Sequence, residues 1–150
     1  MHTDDVEAIR ALIHGYAELI DLGDLDAVAA LFAQGTWNSP GRGTPLRGTD
    51  QVRRAYDGVI LYDGIPSTKH VISNVTIEIA DDRTNASARS YFTVLQGRPD
   101  FPLQPVISGR YHDRFQRIDD AWRFAAREII PDLIGDLSHH LRDPDVVGES

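Results

Sequence analysis

The residues of this chain that could perform chemistry include an aspartate in a place where helix electrostatics disfavour it. Residues 16–32 predict two helices that are separated by Gly23. Asp24 precedes the second helix as its N-cap, and Asp26 lies in its first turn, where negative charge is favourable. Asp21 lies in the last turn of the first helix, where a carboxylate costs a few tenths to about 1 kcal/mol. Asp21 is therefore either a solvated helix-end residue or a carboxylate kept for chemistry.

His70 begins a predicted strand in the segment STKHVISNV. Its imidazole is the kind of group that transfers protons near neutral pH. A lone histidine in a strand is usually structural or exposed. A buried carboxylate beside it would orient the ring and fix its tautomer, as a general acid and base requires.

Aromatic side chains on inward faces are candidates for the wall of a pocket. A helical wheel places Tyr16 about 30° from the centre of the first helix's apolar stripe and Asp21 about 110° from it, at the border. Tyr16 is thus a packed core aromatic or a hydrogen-bond donor in a pocket, and Trp37 is a core or pocket residue. On the strand at 106–118, alternation places Tyr111 on the same face as Gly109 and Phe115.

Metal and nucleotide sites are not indicated by these motifs. His112 and Asp113 are neighbours in a strand and point in opposite directions, and His139 and His140 lack ligand partners at useful spacing. The segment at 41–43 is a turn and no phosphate loop. We therefore expect no metal and no cofactor.

Composition limits the remaining classes of function. The chain has 150 residues, 41% of them hydrophobic, which is typical of a globular protein with a real core. Its net charge of −8 argues against nucleic acid and anionic membranes as partners. It contains no cysteine, which excludes disulfides and thiol catalysis. Because no signal segment or transmembrane run is recognisable, we expect a cytoplasmic protein.

The elements that must position these residues change character halfway along the chain. Helices are predicted at 6–20, at 25–32 and from a cap at Thr49 or Asp50 to Tyr56. Strands are predicted at 70–79, 85–96, 106–118 and 121–130, with turns at 81–83 and 119–120. We expect residues 96–105 to form a proline-rich loop, residues 132–141 a final short helix, and residues 142–150 a frayed tail. The pattern predicts one α+β domain over residues 1–150, with a pocket between its layers.

Three segments together resemble the SnoaL-like branch of the nuclear transport factor 2 (NTF2) superfamily. They are YAELIDLGDLDAVAALF, TKHVISNV and GRYHDRFQRIDDAWRF, and the resemblance extends from about Val6 to Ile130. It implies a cone-shaped fold, in which a curved, mostly antiparallel mixed sheet wraps over N-terminal helices around an internal pocket. This superfamily includes dehydratases, isomerases, polyketide cyclases and proteins without chemistry.

The resemblance is closest to scytalone dehydratase and bile-acid dehydratases in one pair of residues. Asp21 and His70 match the positions of their Asp–His dyad, in which the histidine is the acid and base. Ile20 stands where scytalone dehydratase has a water-activating tyrosine, and Tyr111 where it has a pocket asparagine. The ketosteroid isomerases have an oxyanion-donating tyrosine at the position of Tyr16, but their catalytic aspartate would fall at Ser39.

These matches predict a lyase or isomerase without cofactor, most concretely a dehydratase, acting on a largely apolar cyclic compound such as a polyketide or steroid. Tyr16 would be catalytic together with the dyad. The predicted substrate-binding residues are Trp37, Tyr111, Ile20, Tyr56 and Phe92. The alternatives are a polyketide-cyclase-type enzyme and a module that binds small molecules or assembles subunits without chemistry.

The superfamily also commonly forms dimers or trimers through the sheet, so we expect a homo-oligomer. The face predicted to form the interface contains Val106, Ser108, Arg110, His112 and Arg114.

Overall fold

The computed structural model describes residues 3–39 and 41–145, and it confirms the predicted α+β architecture. The helices are α1 (Thr3–Asp21), α2 (Leu25–Ala30) and α3 (Gly48–Ala55). The strands are β1 (Thr36–Asn38), β2 (Leu46–Arg47), β3 (Thr68–Ile79), β4 (Asn85–Arg98), β5 (Phe101–Ile118) and β6 (Ala121–Ile134). The sheet has the order β2-β1-β6-β5-β4-β3, with β1 and β6 parallel and the other pairs antiparallel.

The sheet curves because register shifts interrupt its long strand pairs. Shifts occur between β3 and β4, between β4 and β5, and between β5 and β6. An extra residue in one strand bends that strand and increases its twist. α1 lies against β3 and β6 on the concave side, where the core packs. The fully buried core side chains include Ile9, Ile13, Val28, Phe32, Val52 and Val106.

The turn between β5 and β6 shows why the local sequence predicted this hairpin. Asp119 and Asp120 both adopt positive φ, at 52° and 63°. A two-residue turn with positive φ at both positions matches the twist of the strands that it joins, and aspartate tolerates that conformation. The pair Asp119–Asp120 therefore indicated the turn correctly.

The predicted loop at 96–105 was wrong. β4 continues to Arg98 and β5 begins at Phe101, so only a tight turn separates them. The prolines are tolerated because the start of β5 pairs with β4 alone, while pairing with β6 begins at Ile107. Pro102 and Pro105 therefore lie where one side of the strand has no neighbour.

Three further expectations about element ends need correction. β6 runs to Ile134, which pairs with Ile107, so the predicted helix at 132–141 is absent and a strand end and a turn replace it. α3 begins at Gly48 after Arg47, without a side-chain cap from Thr49 or Asp50. α2 is helical to Ala30 rather than to residue 32.

The C-terminal segment begins firmly attached to the rest of the chain. In the tail that was predicted to fray, the backbone N–H of Arg142 donates to the carbonyl of Gly58 at 2.8 Å. Residues 146–150 of that tail lie outside the described residues, as does Pro40. Within the described part of the chain, no helix is long and apolar enough to cross a membrane.

Candidate active site

The end of α1 delivers Asp21 to the beginning of β3. The chain leaves the helix at Gly23, whose φ of 78° is left-handed and whose N–H donates to the carbonyl of Ile20 at 2.8 Å. Asp24 then caps α2 by accepting from the N–H of Ala27 at 3.1 Å, as predicted. A tight turn between two capped helices fixes the direction in which the last residue of α1 points.

Three donors from β3 hold the carboxylate of Asp21. Its Oδ1 accepts from the Nδ1 of His70 at 2.7 Å and from the hydroxyl of Thr68 at 2.8 Å. Its Oδ2 accepts from the backbone N–H of His70 at 2.8 Å. The contact between carboxylate and imidazole thus has the hydrogen-bonding distance that a dyad requires. These donors account for a charge that the helix end alone would disfavour.

The environment keeps Asp21 ionised and assigns the tautomer of His70. Burial alone would raise the pKa of Asp21, but the hydrogen bonds and charge of His70, with help from Thr68, hold that pKa below its ordinary value. An ionised carboxylate only accepts hydrogen bonds, so Nδ1 of His70 carries the proton in this contact. The other ring nitrogen, Nε2, is left for a ligand.

A cavity of about 310 Å³ lies beside the dyad on the concave side of the sheet. Its wall is mostly apolar and is shared by α1, α3, the strands β1, β3, β4, β5 and β6, and the C-terminal segment. The predicted site residues that line it are Tyr16, Ile20, Trp37, Tyr56, His70, Phe92 and Tyr111. Asp21 lies behind the ring of His70 and is not part of this wall.

Tyr16, Tyr56 and Trp37 form a hydrogen-bonded group in the cavity wall. The indole N–H of Trp37 donates to the hydroxyl of Tyr56 at 3.1 Å, and the hydroxyls of Tyr16 and Tyr56 are hydrogen-bonded to each other. The three side chains carry three polar hydrogens, and the two contacts use two of them. One phenolic hydrogen therefore remains to donate to a ligand. Burial, with Tyr16 beside it, raises the pKa of Tyr56 well above its ordinary value, so Tyr56 stays protonated.

Tyr111 faces the cavity, as strand alternation predicted. It is buried with Gly109 and Phe115, and its ring stacks on that of Phe92 at a centroid distance of 4.5 Å. Burial, with Tyr16 nearby, raises the pKa of Tyr111 well above its ordinary value. Of the face predicted to form an interface, Val106 is completely buried because the neighbouring register shift turns it inward.

A buried ion pair beneath the tyrosines was missed in the sequence. Arg127 donates to both carboxylate oxygens of Asp113 at 2.8 Å, and neither side chain is exposed. The guanidinium lies 4.3 Å from the ring centre of Tyr16 and 3.8 Å from that of Tyr111. Asp113 shares the buried face of β5 with Tyr111, and its partner follows only from the β5–β6 register, which sets the two residues opposite each other.

The C-terminal segment supplies cavity residues that the sequence did not indicate. Leu137, His140 and Leu141 belong to the lining, and the ring of His140 lies 6.5 Å from that of His70 between centroids. The segment was predicted to be helical and its histidines were set aside. Among the residues that the structure describes, no cluster of three or more histidine, aspartate or glutamate side chains could hold a metal ion.

Comparison with known proteins shows the family to which the chain belongs. The model of the SnoaL-like domain matches residues 1–128. Among curated proteins, none matches the chain.

Solved structures are similar in fold at low identity. An NTF2-like protein with a cystatin-like fold from Novosphingobium aromaticivorans has a TM-score of 0.74 at 23% identity, covering 91% of this chain and 87% of its own. A candidate scytalone dehydratase from the same bacterium has a TM-score of 0.70 at 23% identity, covering 89% and 91%. The β subunit of a candidate aromatic-ring-hydroxylating dioxygenase, also from that bacterium, has a TM-score of 0.67 at 19% identity, covering 85% and 89%. The chain therefore belongs to the SnoaL-like domain family, with the NTF2-like fold that its sequence resembles.

Proposed function

We propose that this protein is a lyase, most concretely a dehydratase, that removes water from a small cyclic hydroxy ketone. The observation that carries the proposal is the 2.7 Å contact between Asp21 and His70, with the imidazole in the wall of an apolar cavity. An ionised carboxylate that is held by three donors, one of them an imidazole, is an arrangement suited to proton transfer.

His70 would act through Nε2, because Nδ1 is bonded to Asp21. Nε2 takes a proton from the carbon next to the ketone, and the C–H electron pair moves into an enolate. The enolate then re-forms its carbonyl as the bond from the β-carbon to the hydroxyl breaks. The leaving hydroxide takes the proton from Nε2 and departs as water, which returns His70 to its neutral form. Asp21 stabilises the imidazolium that exists between the two transfers.

The tyrosines would stabilise the enolate oxygen. The Tyr16–Tyr56–Trp37 group retains one unused phenolic hydrogen, and Tyr111 has no hydrogen-bond partner among the described residues. Donors aimed at a developing oxyanion in a site that excludes water contribute about 10²–10³-fold each. General acid–base catalysis adds about 10²–10⁴-fold, so the proposed reaction needs both parts.

The cavity favours a substrate that is largely apolar. Phe92, Val94, Ile107 and Ile129 present hydrocarbon to it, and its polar groups come from the tyrosines and histidines together with Ser39, Arg42 and Asp143. Such a wall binds fused rings and orients them by a few oxygen atoms.

Water loss from a panel of cyclic β-hydroxy ketones tests the proposal. 3-Hydroxy-1-tetralone is a simple member of the panel, because loss of water followed by tautomerisation gives the fluorescent product 1-naphthol. We expect turnover by the native protein and a loss of at least about 10²-fold in His70→Gln. His14→Gln, at an exposed position of α1, is the matched control and should retain the native rate. Turnover of a panel member that His70→Gln leaves unchanged would contradict the proposed mechanism.

A second candidate is a module that binds a ligand or assembles subunits without chemistry. Ile20 favours it, since it replaces the water-activating tyrosine of scytalone dehydratase, and so does the similarity to a dioxygenase β subunit. The same panel separates the two, because this candidate predicts binding without release of water. The partly buried charge of Asp21 favours the dehydratase, since a pocket that only binds a ligand gains little from such a charge.

A further inference from the structure

His140 is a second histidine of the cavity that the proposed reaction does not use. The residue is buried, with 7% of its surface exposed, and it forms part of the cavity wall together with His70. The two rings meet edge to face at an interplanar angle of 66°. His140 belongs to the segment after β6, so it reaches the cavity from a different side of the fold than the dyad.

The backbone around His140 is fixed by several hydrogen bonds to distant parts of the chain. The carbonyl of His139 accepts from the hydroxyl of Tyr62 at 2.6 Å and from the Nε2 of Gln96 at 3.0 Å. The carbonyl of His140 accepts from the N–H of Ile60 at 2.9 Å. These contacts hold the residue rigidly in the cavity wall, while none of them involves its imidazole.

The imidazole itself has no partner in the described part of the chain. Its Nδ1 is shielded from solvent and makes no hydrogen bond. Because Nδ1 is shielded, a ligand in the cavity can meet the ring only through its other nitrogen, Nε2. Burial, reinforced by His70 and opposed by Asp21, lowers the pKa of His140 to about 4. The ring is therefore neutral at physiological pH and carries one donor and one acceptor.

We propose that His140 is a specificity-determining residue whose imidazole hydrogen-bonds a hydroxyl group of the ligand. A hydroxyl both donates and accepts, so it can pair with either tautomer of the ring, whereas a ketone only accepts. The free phenolic hydrogens of the tyrosines suit a ketone instead. The cavity thus selects compounds that carry both a hydroxyl group and a ketone. The inference rests on the proposed function, because it takes this cavity as the ligand site. It does not require that a reaction occurs there.

Calorimetric binding of two ligands that cannot react by the proposed route tests this assignment. 2-Tetralol has a hydroxyl and no ketone, and 1-tetralone has a ketone and no leaving hydroxyl. We expect His140→Leu to bind 2-tetralol about fivefold more weakly and to bind 1-tetralone within about twofold of the native affinity. His140→Gln, which keeps a donor and an acceptor, should restore most of the affinity for 2-tetralol. Tyr16→Phe should show the reverse pattern, with the affinity for 1-tetralone reduced more than the affinity for 2-tetralol.

Thermal unfolding without ligand provides an independent readout. A histidine with a structural role would lower the melting temperature when replaced, while loss of an unpaired buried polar group should leave it unchanged or raise it. The inference is refuted if native protein does not bind 2-tetralol, or if His140→Leu binds it as well as native protein does. It is also refuted if His140→Leu binds both ligands more weakly by the same factor. Hydroxyl-selective binding without any water loss across the ketone panel would refute the proposed dehydratase and leave this inference standing.

Discussion

Asp21 shows how much of a residue's role is decided by its partner rather than by its own element. On α1 alone, its carboxylate faces the unfavourable end of the helix dipole. The hydroxyl of Thr68 and the backbone and ring of His70 turn the same position into a site for a negative charge. The aspartate therefore joins α1 to β3 as well as orienting the imidazole.

Replacing Asp21 with Asn should reduce both activity and stability. The amide keeps one acceptor but sets its NH₂ against a donor from β3, which leaves a partly buried polar group unpaired. We expect a loss of at least about 10²-fold in turnover and of about 1–3 kcal/mol in the free energy of unfolding. Thr68→Val is the control, because it removes one donor to Asp21 and leaves the contact with His70 in place. This variant should lower the free energy of unfolding by about 1 kcal/mol and should change the turnover rate little.

The stability difference between native protein and Asp21→Asn should depend on pH in a defined direction. The pKa of Asp21 is lower in the folded state than in the unfolded chain, so the ionised form stabilises the fold. Its contribution is complete above the unfolded pKa of about 4 and is lost as the pH falls through the folded pKa. Denaturant titrations at several pH values should show that the difference in the free energy of unfolding becomes smaller as the pH is lowered. A difference that becomes larger at low pH would contradict the assignment of a stabilising negative charge to Asp21.

Two glycines have opposite requirements, one inside α1 and one in the turn that follows it. Gly15 is inside the helix, and a Cβ there would meet nothing within 4 Å. Gly23 has φ of 78°, and its Cβ would lie 1.9 Å from the carbonyl oxygen of Gly64. The first glycine weakens the helix, whereas the second allows the chain to turn where it must.

Gly15→Ala and Gly23→Ala should therefore shift stability in opposite directions. Alanine at position 15 should raise the free energy of unfolding by about 0.5–1 kcal/mol, since it removes backbone freedom from the unfolded chain. Alanine at position 23 should lower it by at least about 1–2 kcal/mol from the left-handed backbone alone, with the overlap on Gly64 added. Chemical denaturation of both variants is the measurement. Equal effects would mean that the turn after α1 is not constrained as described.

Elements with local signals were predictable from the sequence, and elements decided by distant contacts were not. Gly23 and the pair Asp119–Asp120 mark their turns by backbone chemistry that any surroundings would require. The strand character of Pro102 depends on which side of β5 lacks a neighbour, which is information about the whole sheet.

The site followed the same division. Asp21, His70 and Tyr16 were predicted as site residues because the segments that carry them resemble a known family. Arg127 meets Asp113 only through the β5–β6 register, and His140 enters the cavity only because the segment after β6 folds back onto it. Neither contact has a local sequence pattern that would reveal it.

The outer face of the sheet carries apolar side chains that a monomer leaves in water. Val71, Tyr91 and Leu133 are 45%, 51% and 71% exposed. Val71 and Leu133 belong to one row across four strands, through Thr93 and Ser108, and Tyr91 lies in the adjacent row beside Arg110. An apolar patch with a polar rim is typical of an interface between proteins.

We therefore expect a homo-oligomer that is joined through this outer face. Light scattering at micromolar concentration should give the mass of a dimer or trimer. The double variant Tyr91→Asp with Leu133→Asp should reduce it to that of one chain, because it places charges in the contact. Leu22→Asp, at an exposed leucine beside α1, is the matched control and should not change the mass. A native protein that is monomeric throughout would refute the prediction.

The bulge in β3 has a consequence for how the chain avoids aggregation. β3 is the last strand of the sheet, and between Ser73 and Thr76 two of its residues oppose the single residue Ser90. Asn74 adopts φ of 54° there, which breaks the free row of backbone donors and acceptors into two short runs. A foreign strand needs a long, flat row in order to add to a sheet edge. The same irregularity that curves the sheet around its cavity therefore also keeps other strands from extending it into a fibre.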